Sequence, residues 1–403
     1  MPGKEKVKIK KEVRMIPVEE AQRILKETPV FPATEEVPCG DCLGRVLAED
    51  IFSTLDMPPF NKAAMDGYAI HSEDSSKKFK IVETIPAGYR PQKEIRFGEC
   101  AKIMTGGMVP RGANRVVKRE VTVEQEGWMK IVGEDPNPNL CFQGEDLRQG
   151  DLVLSRGTLI RPQEVAVLAS MGLERVKVYC RPQVGILATG SELVPPGKPR
   201  SEEQIYDSNS FSLAAQVRQL GVVVKKLSRV ADDQDLLRFE LAELLSISDV
   251  LLISGGVSAG DYDYVPTILQ ELGVKIHFHK LAIKPGKPTA FGTKGEKVIF
   301  GVPGNPVSTF VIFELFIKPF LWRMMGHDYR PLLLPGELTQ ELTRKKAARE
   351  AWVPVRYQEG KVFPLPYHGS AHIHALTQAN GLISFPRGEK IIRQGTQVVV
   401  RPI

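Results

Sequence analysis

Asp249-Val250-Leu251-Leu252-Ile253-Ser254-Gly255-Gly256 is the stretch that decides the architecture of this chain. An unbroken apolar run of strand length that stops at a Gly-Gly turn reads as a strand buried on both faces. Working outward, the texture recurs. Val184-Gly185-Ile186-Leu187-Ala188 runs into Thr189-Gly190-Ser191-Glu192, and Lys297-Val298-Ile299-Phe300 runs into Gly301-Val302-Pro303-Gly304-Asn305-Pro306. A further strand begins at Val222-Val223-Val224. Between the strands lie helical patterns at 208–220, 233–246 and 264–272, and a long apolar helix follows Pro306. Gly221 and Gly273 stop two of them. Strands alternating with helices predict a three-layer α/β domain with a parallel-rich sheet over 183–328.

The flanking sequence has a different character. Residues 15–27 carry a loose apolar stripe of Ile16, Ala21, Ile24 and Leu25, and residues 162–172 read as a helix opened by Pro162 and closed by Gly172. These belong to a discontinuous linker domain, 14–50 with 150–182. It brackets a β-rich inserted domain, 51–149, in which short apolar runs are punctuated by Gly and Pro. Residues 329–403 alternate apolar and polar residues, as in Val353-Pro354-Val355-Arg356-Tyr357, and predict a C-terminal β-barrel-like domain. The fold class is therefore multidomain α/β plus β.

Composition narrows the function. At 42% hydrophobic and 25% charged, the chain has apolar material for more than one core. It has no run of about 18 apolar residues, so no transmembrane span is expected, and the start is not signal-like, which predicts a cytoplasmic protein. The net charge is +6, but residues 1–14 hold six Lys/Arg against two Glu. Residues 1–13 read as a disordered basic tail, and the nearly neutral body argues against a nucleic-acid surface. The five cysteines, Cys39, Cys42, Cys100, Cys141 and Cys180, read as free thiols, since Cys39-x-x-Cys42 lacks the second pair of a structural zinc site.

In open parallel sheets, ligands bind beyond the carboxyl ends of the strands. Three such ends here carry glycine-rich loops: Thr189, Gly190, Ser191 and Glu192; Ser254, Gly255, Gly256, Val257 and Ser258; and Pro303, Gly304, Asn305 and Pro306. Glycine lets backbone N–H groups approach an anion, so the set reads as a phosphate or pyrophosphate cradle. None is a Walker A loop or a dinucleotide fingerprint, which argues against a standard ATPase or dehydrogenase. Lys280, Lys284 and Lys287 lie in a segment stiffened by Pro285 and Pro288 and suit a multiply charged substrate. Glu192, Asp232, Asp233, Asp261 and Asp263 cluster near them in sequence. Carboxylates beside phosphate call for a divalent cation, in the manner of Mg²⁺. A competing zinc site could form from His368, His372 and His374, or from His277 and His279.

The inserted domain carries Ala64-Met65-Asp66-Gly67-Tyr68-Ala69 and Ile103-Met104-Thr105-Gly106, followed by Gly144-Glu145-Asp146. Together with Ala188-Thr189-Gly190-Ser191-Glu192-Leu193, Ile205-Tyr206-Asp207-Ser208-Asn209, Ser254-Gly255-Gly256-Val257-Ser258, Lys284-Pro285-Gly286-Lys287-Pro288 and Pro303-Gly304-Asn305-Pro306, they resemble the molybdopterin molybdenumtransferases. This is the MoeA and gephyrin E-domain family. The likeness runs from about residue 15 to the end, with motif order and approximate spacing in agreement. Departures are Cys141, where relatives often carry Arg, Ala63 in place of Ser, and an altered Gly369-Ser370-Ala371-His372.

The resemblance implies molybdenum insertion into adenylated molybdopterin from molybdate, with AMP released and molybdenum cofactor formed. It implies a homodimer whose active site joins the α/β domain of one subunit to the insertion of the other. Asp66, Thr105, Asp146, Glu192, Asp232, Asp263, Lys280 and Lys284 would form the catalytic set. Substrate would be bound by Thr189, Gly190, Ser191, Asp207, Ser208, Asn209, Ser254, Gly255, Gly256, Val257, Ser258, Lys287, Pro303, Gly304, Asn305 and Pro306. Glu192, Asp232 and Asp263 would hold Mg²⁺, with Zn²⁺ the other ion to consider. Partners would include a molybdopterin adenylyltransferase and apo-molybdoenzymes. The alternatives are a non-catalytic gephyrin-like scaffold, or a nucleotide-cleaving or adenylyl-transferring enzyme sharing only the α/β domain.

Overall fold

The computed structural model describes residues 14–257, 264–367 and 369–403. The basic tail, Ser258, Asp261, Asp263 and His368 lie outside the described residues. By contact density the chain divides into two compact units: Val37–Leu43 with Leu47–Val176, and the remainder.

The larger unit holds the α/β domain. In chain order its elements are β1 (Gln183–Thr189), α1 (Asn209–Gln219), β2 (Val223–Val230), α2 (Gln234–Ile247), β3 (Val250–Ser254), α3 (Val265–Glu271), β4 (Lys275–Phe278), β5 (Ala290–Lys294) and β6 (Lys297–Val302). The sheet order is β2-β1-β3-β6-β5-β4. The first four strands are parallel, and β5 then β4 attach antiparallel. The sheet is thus parallel-rich, as the strand texture predicts, with two antiparallel strands at one edge. The short Ala290–Lys294 run was not legible as a strand because it contains Gly292 and is polar at its end.

Every residue of β3 is buried, as its unbroken apolar run requires. Alternation sends Leu251, Ile253, Leu187 and Ile299 to one face, where they pack with Leu237, Leu241 and Leu244 of α2 and Ile268 and Leu269 of α3. On the opposite face Phe300 meets Phe320, ring centroids 5.6 Å apart. Phe320 belongs to the long helical run after β6. That run is α-helical over Pro306–Ile312, π-helical over Phe313–Ile317 and α-helical again over Lys318–Met324. The wide π turn comes just before Pro319, which lacks an N–H and whose ring would crowd the carbonyl four residues back.

In the same unit, strands Leu334–Leu338, Glu350–Gln358, Lys361–Pro364, Gly381–Phe385 and Gln397–Pro402 close into a five-stranded barrel, because Glu350–Gln358 pairs with both Lys361–Pro364 and Gly381–Phe385. Its interior is filled by Leu338, Val355, Val362, Ile383 and Val400. The β-barrel-like reading of the C-terminal region holds.

The second unit contains a six-stranded sheet in the order Arg115–Lys118, Gly67–Ile70, Glu99–Ile103, Lys78–Ile85, Trp128–Ile131, Thr122–Gln125. Both faces are covered. Tyr68, Ile70, Phe79, Cys100 and Val117 pack on one, and Ala69, Ala101, Ile103 and Val116 on the other. The period-2 alternation of a strand accounts for that division. Ile51–Phe52 and Leu152–Leu154 pair antiparallel, so the start and end of this β-rich stretch are tied together.

Candidate functional site

The carboxyl ends of β1, β3 and β6 lie at one edge of the sheet and surround a cavity of about 560 Å³. Each end is shaped by its glycine turn. Gly255 has φ +90°, and a Cβ there would stand 2.3 Å from the Thr189 carbonyl oxygen. Only glycine lets the end of β3 lie this close to the end of β1. The β6 end turns through Gly304 and enters the Pro306 helix with Asn305 as N-cap.

Thr189, Gly190, Glu192, Asp207, Ser208, Asn209, Asp232, Ser254, Gly255, Gly256, Gly304, Asn305 and Pro306 all line this cavity, so thirteen residues read from three loops, one motif and the acid Asp232 converge on one hollow. Asp232 follows β2 and braces the β1 end. Its Oδ1 accepts from Thr189 Oγ1 at 2.9 Å and its Oδ2 from Ser191 N at 3.2 Å, while its own N–H donates to Ser191 Oγ at 3.1 Å. Ser191 therefore acts through Asp232. Pro303 contributes a carbonyl that accepts from Thr309 Oγ1 at 2.7 Å. Val257 is a core residue, 2% exposed, packed with the α2 and α3 leucines, not a surface that a ligand could touch.

Asp207 is 1% exposed, and its carboxylate is held within the protein: Ser210 N and Oγ donate to it, and Arg229 Nε stands 3.4 Å from Oδ2. It anchors the start of α1 and leaves little capacity for a ligand. Asn209 is different. It is 9% exposed, its Nδ2 donates to Ser254 Oγ at 2.8 Å and to the Gly304 carbonyl at 2.7 Å, and its buried Oδ1 receives no hydrogen bond. A buried acceptor left open in a cavity wall is expected to meet a donor from a ligand or water.

Two features correct the cradle picture. The first loop does not enter a helix directly: Leu193–Val194 and Ile205–Tyr206 form a small parallel pair before α1. At the third loop the Val307 N–H donates to the Ser370 carbonyl at 3.0 Å, so a first-turn donor is already used by the C-terminal region. That region also supplies Ala371 and Ile373 to the cavity wall. Sequence reasoning missed both, since nothing local links residue 371 to the end of β6. Among the described lining residues there is no Lys or Arg, while three are carboxylates.

The lysines lie elsewhere on the same edge. β4 is parallel to β6 after two antiparallel steps, so Lys280, Lys284 and Lys287 lie in the connection from its carboxyl end to β5, whose Ala290 pairs with Gly301 of β6. Lys284 and Lys287 are exposed, and no carboxylate pairs with any of the three among the described residues. Ile283–Lys284 pairs with Glu350–Ala351 of the barrel, and Thr289 Oγ1 donates to the Gly286 carbonyl at 2.7 Å, which holds the segment in shape.

Of the three expected metal ligands, Glu192 and Asp232 both line the cavity. Asp263 lies outside the described residues, and among the described residues no group of three His, Cys, Asp or Glu side chains is placed to hold a metal. His277 Nε2 instead meets Thr293 Oγ1 at 2.8 Å. Cys39 and Cys42 are buried free thiols, and burial pushes Cys42 up to about 11.

In the second unit, Asp66 follows the Lys62–Ala63 strand and Thr105 ends the Glu99–Ile103 strand. Asp66 Oδ1 accepts from both Thr105 N and Thr105 Oγ1 at 2.7 Å, and these bonds, the backbone one foremost, hold its carboxyl below the usual range. The two motifs that pointed to function thus meet as one exposed pair. Asp146 lies in a turn where its N–H donates to the Met57 carbonyl at 2.9 Å. Cys141 lies near Glu145, Asp146 and Lys62, and its thiol is raised chiefly by burial.

Comparison with known proteins agrees with these domains. Residues 16–172 match the MoeA N-terminal region (domains I and II), residues 185–323 the probable molybdopterin binding domain, and residues 337–403 the MoeA C-terminal region (domain IV). The chain is 34% identical to the molybdopterin molybdenumtransferase of Staphylococcus aureus (strain Mu50), with 95% of this chain and 94% of that protein aligned. It is 32% identical to that of Bacillus subtilis (strain 168), with 96% and 93% aligned. The crystal structure of the molybdopterin biosynthesis MoeA protein from Pyrococcus horikoshii OT3 superposes with a TM-score of 0.84 at 30% identity, over 97% of this chain and 100% of that one. The chain belongs to the MoeA family of molybdopterin molybdenumtransferases.

Proposed function

We propose that this chain inserts molybdenum from molybdate into adenylated molybdopterin, releasing AMP and forming molybdenum cofactor. The observation that carries the reading is the strand-end cavity, where glycine turns, the open acceptor of Asn209 and the carboxylates of Glu192 and Asp232 converge. A pterin offers N–H donors that suit Asn209 Oδ1. The adenylyl pyrophosphate is an anion, and a cavity with acids and no basic residue among its described lining accepts an anion through a divalent cation or backbone N–H groups.

The oxygen donors present fit Mg²⁺, which needs only one or two carboxylates beside phosphate oxygens. Glu192 and Asp232 would hold it, and its bound form would polarise a phosphoryl oxygen and ease departure of the AMP phosphate. Zn²⁺, which prefers nitrogen and sulfur, finds no such set among the described residues. Lys284 and Lys287, which no carboxylate pairs among the described residues, would with Lys280 attract the molybdate dianion. A homodimer would bring the partner subunit's Asp66 and the partner subunit's Thr105 to orient the reacting groups. Among the described residues no helix is long and apolar enough to cross a membrane, and a cytoplasmic location with apo-molybdoenzymes as recipients is part of the same proposal.

Whole-chain similarity to the transferases weighs against an enzyme that shares only the α/β domain. The test is to mix the protein with adenylated molybdopterin, molybdate and Mg²⁺ and to follow AMP and cofactor together. Both should appear in equal amounts. Binding without turnover would favour a scaffold, and AMP without cofactor would favour a nucleotide-cleaving enzyme.

A further inference from the structure

Asp66 shares a shallow hollow of the second unit with Tyr68, Lys102, Met104 and Arg119. The backbone puts Arg119 there. Its N–H donates to the Asp66 carbonyl at 3.0 Å, and Lys118 before it pairs across the ladder with Gly67. Its own carbonyl accepts from Thr122 Oγ1 at 2.8 Å, which closes the single helical turn Arg119–Val121. The guanidinium therefore springs from the place in the sheet where Asp66 turns out.

The two cations that line the hollow are differently employed. Lys102 Nζ stands 2.7 Å from Glu124 Oε2, which also accepts from Tyr68 Oη at 2.6 Å. Lys102 is thus part of the wall. Lys118, next to Arg119 in the chain, is drawn 3.8 Å from the buried carboxylate of Asp135. Arg119 is exposed and closes on no carboxylate among the described residues, although its charge reaches Asp66 and Glu124 from a distance. Its N–H donors form a planar fork, the shape that matches the oxygens of a phosphate-like anion.

Asp66 is the complement. Both Thr105 donors converge on its Oδ1, so an ionised, exposed carboxylate is held in place. Such a carboxylate repels an anionic substrate unless a cation stands with it. Arg119 is the lining cation whose donors remain open for that task.

We infer that Arg119 is a further substrate-binding residue, which holds a tetrahedral oxyanion of the substrate beside the Asp66–Thr105 pair. This rests on the reading that Asp66 and Thr105 face the reacting groups. The oxyanion is a phosphate of the adenylated pterin or molybdate itself, and both present the same array of oxygens to the fork.

The test is titration calorimetry of the full chain with two probes, molybdate and AMP, beside AMP release at varied molybdate and varied adenylated molybdopterin. Arg119→Gln should weaken one probe at least about tenfold, raise KM for the matching substrate similarly and leave kcat within about twofold. The probe that weakens names the source of the oxyanion. Arg119→Lys keeps the charge and loses the fork, so it should recover part of the affinity. Lys102→Gln should leave both affinities nearly unchanged. Arg119 is exposed, and its backbone contacts do not need its side chain, so the variants should fold as the parent does. Unchanged affinity for both probes in Arg119→Gln overturns the inference, as does an equal loss in Lys102→Gln, or a parent chain that binds neither probe at millimolar concentration. Asp66→Asn separates this from the reading beneath it. Lost turnover in Asp66→Asn with a silent Arg119→Gln fells the inference alone. Parental turnover in Asp66→Asn fells the reading, and calorimetry on Arg119→Gln still decides whether the oxyanion is held there.

Discussion

Replacing Gly255 by alanine tests how the strand ends build the cavity. Gly255 has φ +90°, in the region where a side chain is strained by about 1–2 kcal/mol. Its new Cβ would also lie 2.3 Å from the Thr189 carbonyl oxygen, so about 1 Å of movement is needed to restore ordinary contact. The carbonyl cannot yield freely. Thr189 closes the ladder of β1 with β2, where it pairs with Val230, and Ala188 pairs with Ser254 of β3. Forcing an extra methyl into packed structure costs about 1–3 kcal/mol. The sum is about 2–5 kcal/mol, a large part of the roughly 5–15 kcal/mol that keeps a domain folded. Whatever strain is relieved by moving the loop displaces the cavity wall by a comparable distance, and a misplacement of about 1 Å can lower turnover about 100-fold. Gly304→Ala is the control. Its Cβ would have only the Gly255 Cα near it, at 3.9 Å, so the fold should be unaffected to within about 0.5 kcal/mol. Because Gly304 lines the cavity, that methyl should instead raise KM for the molybdopterin substrate. The assays are urea unfolding followed by circular dichroism, and AMP release at varied substrate. A Gly255→Ala protein with the parent unfolding midpoint and turnover within twofold would refute the reasoning, as would equal destabilisation by the two substitutions.

Other outcomes can be checked alongside. Asn209→Asp puts a charge at the open acceptor, and Asn209→Leu deletes both its donors and the acceptor; each should raise KM well over tenfold in the AMP assay, with Leu also destabilising the fold because the Ser254 and Gly304 contacts go. Thr105→Val removes one of the two bonds to Asp66 while the backbone N–H, the larger cause, stays; the Asp66 carboxyl titration followed by carbon-13 NMR should move up, but not all the way to an unperturbed carboxylate. In the native protein that carboxyl is held low, so its contribution to stability is present above its unfolded value of 3.8 and is lost as pH falls through the lower folded one. Cys42 and Cys100 behave in the opposite sense. Burial raises them to about 11 and about 12 from 9.0, so their contribution is intact below about pH 9 and is lost as pH climbs through those values, which urea melts at pH 8 and pH 10.5 should reveal. Finally, chelation should abolish AMP release and Mg²⁺ restore it, with Glu192→Gln and Asp232→Asn each raising the Mg²⁺ concentration required; unchanged Mg²⁺ dependence in both would remove them as ligands.

Much of the architecture was legible residue by residue, because its cause is local. The run Val250–Ser254 is apolar at every position, and only a strand covered on both faces uses such a run. Glycines closed the helices where expected, as Gly221 does after α1. The antiparallel strands β4 and β5 were not legible, since their pairing depends on β6 and not on their own composition. The Pro306 helix was expected as one element, and its π turn is the local answer to Pro319.

What the sequence by itself determined was the kind of residue at each strand end: glycines that permit close approach, acids, rigid lysines, and the Asp66 and Thr105 motifs. Spacing along the chain could not say which of these share a surface. Only the tertiary structure decided that Asp232 braces Thr189 and Ser191, that Asp207 is consumed by Ser210 and Arg229, that Lys284 and Lys287 lie in a connection that leads into the strand beside β6, and that Ala371 and Ile373 wall the cavity. The physical reason is that hydrogen bonds and walls of a site form between atoms close in space, and strand order, which sets those distances, is chosen by packing of whole faces and not by neighbours in the chain.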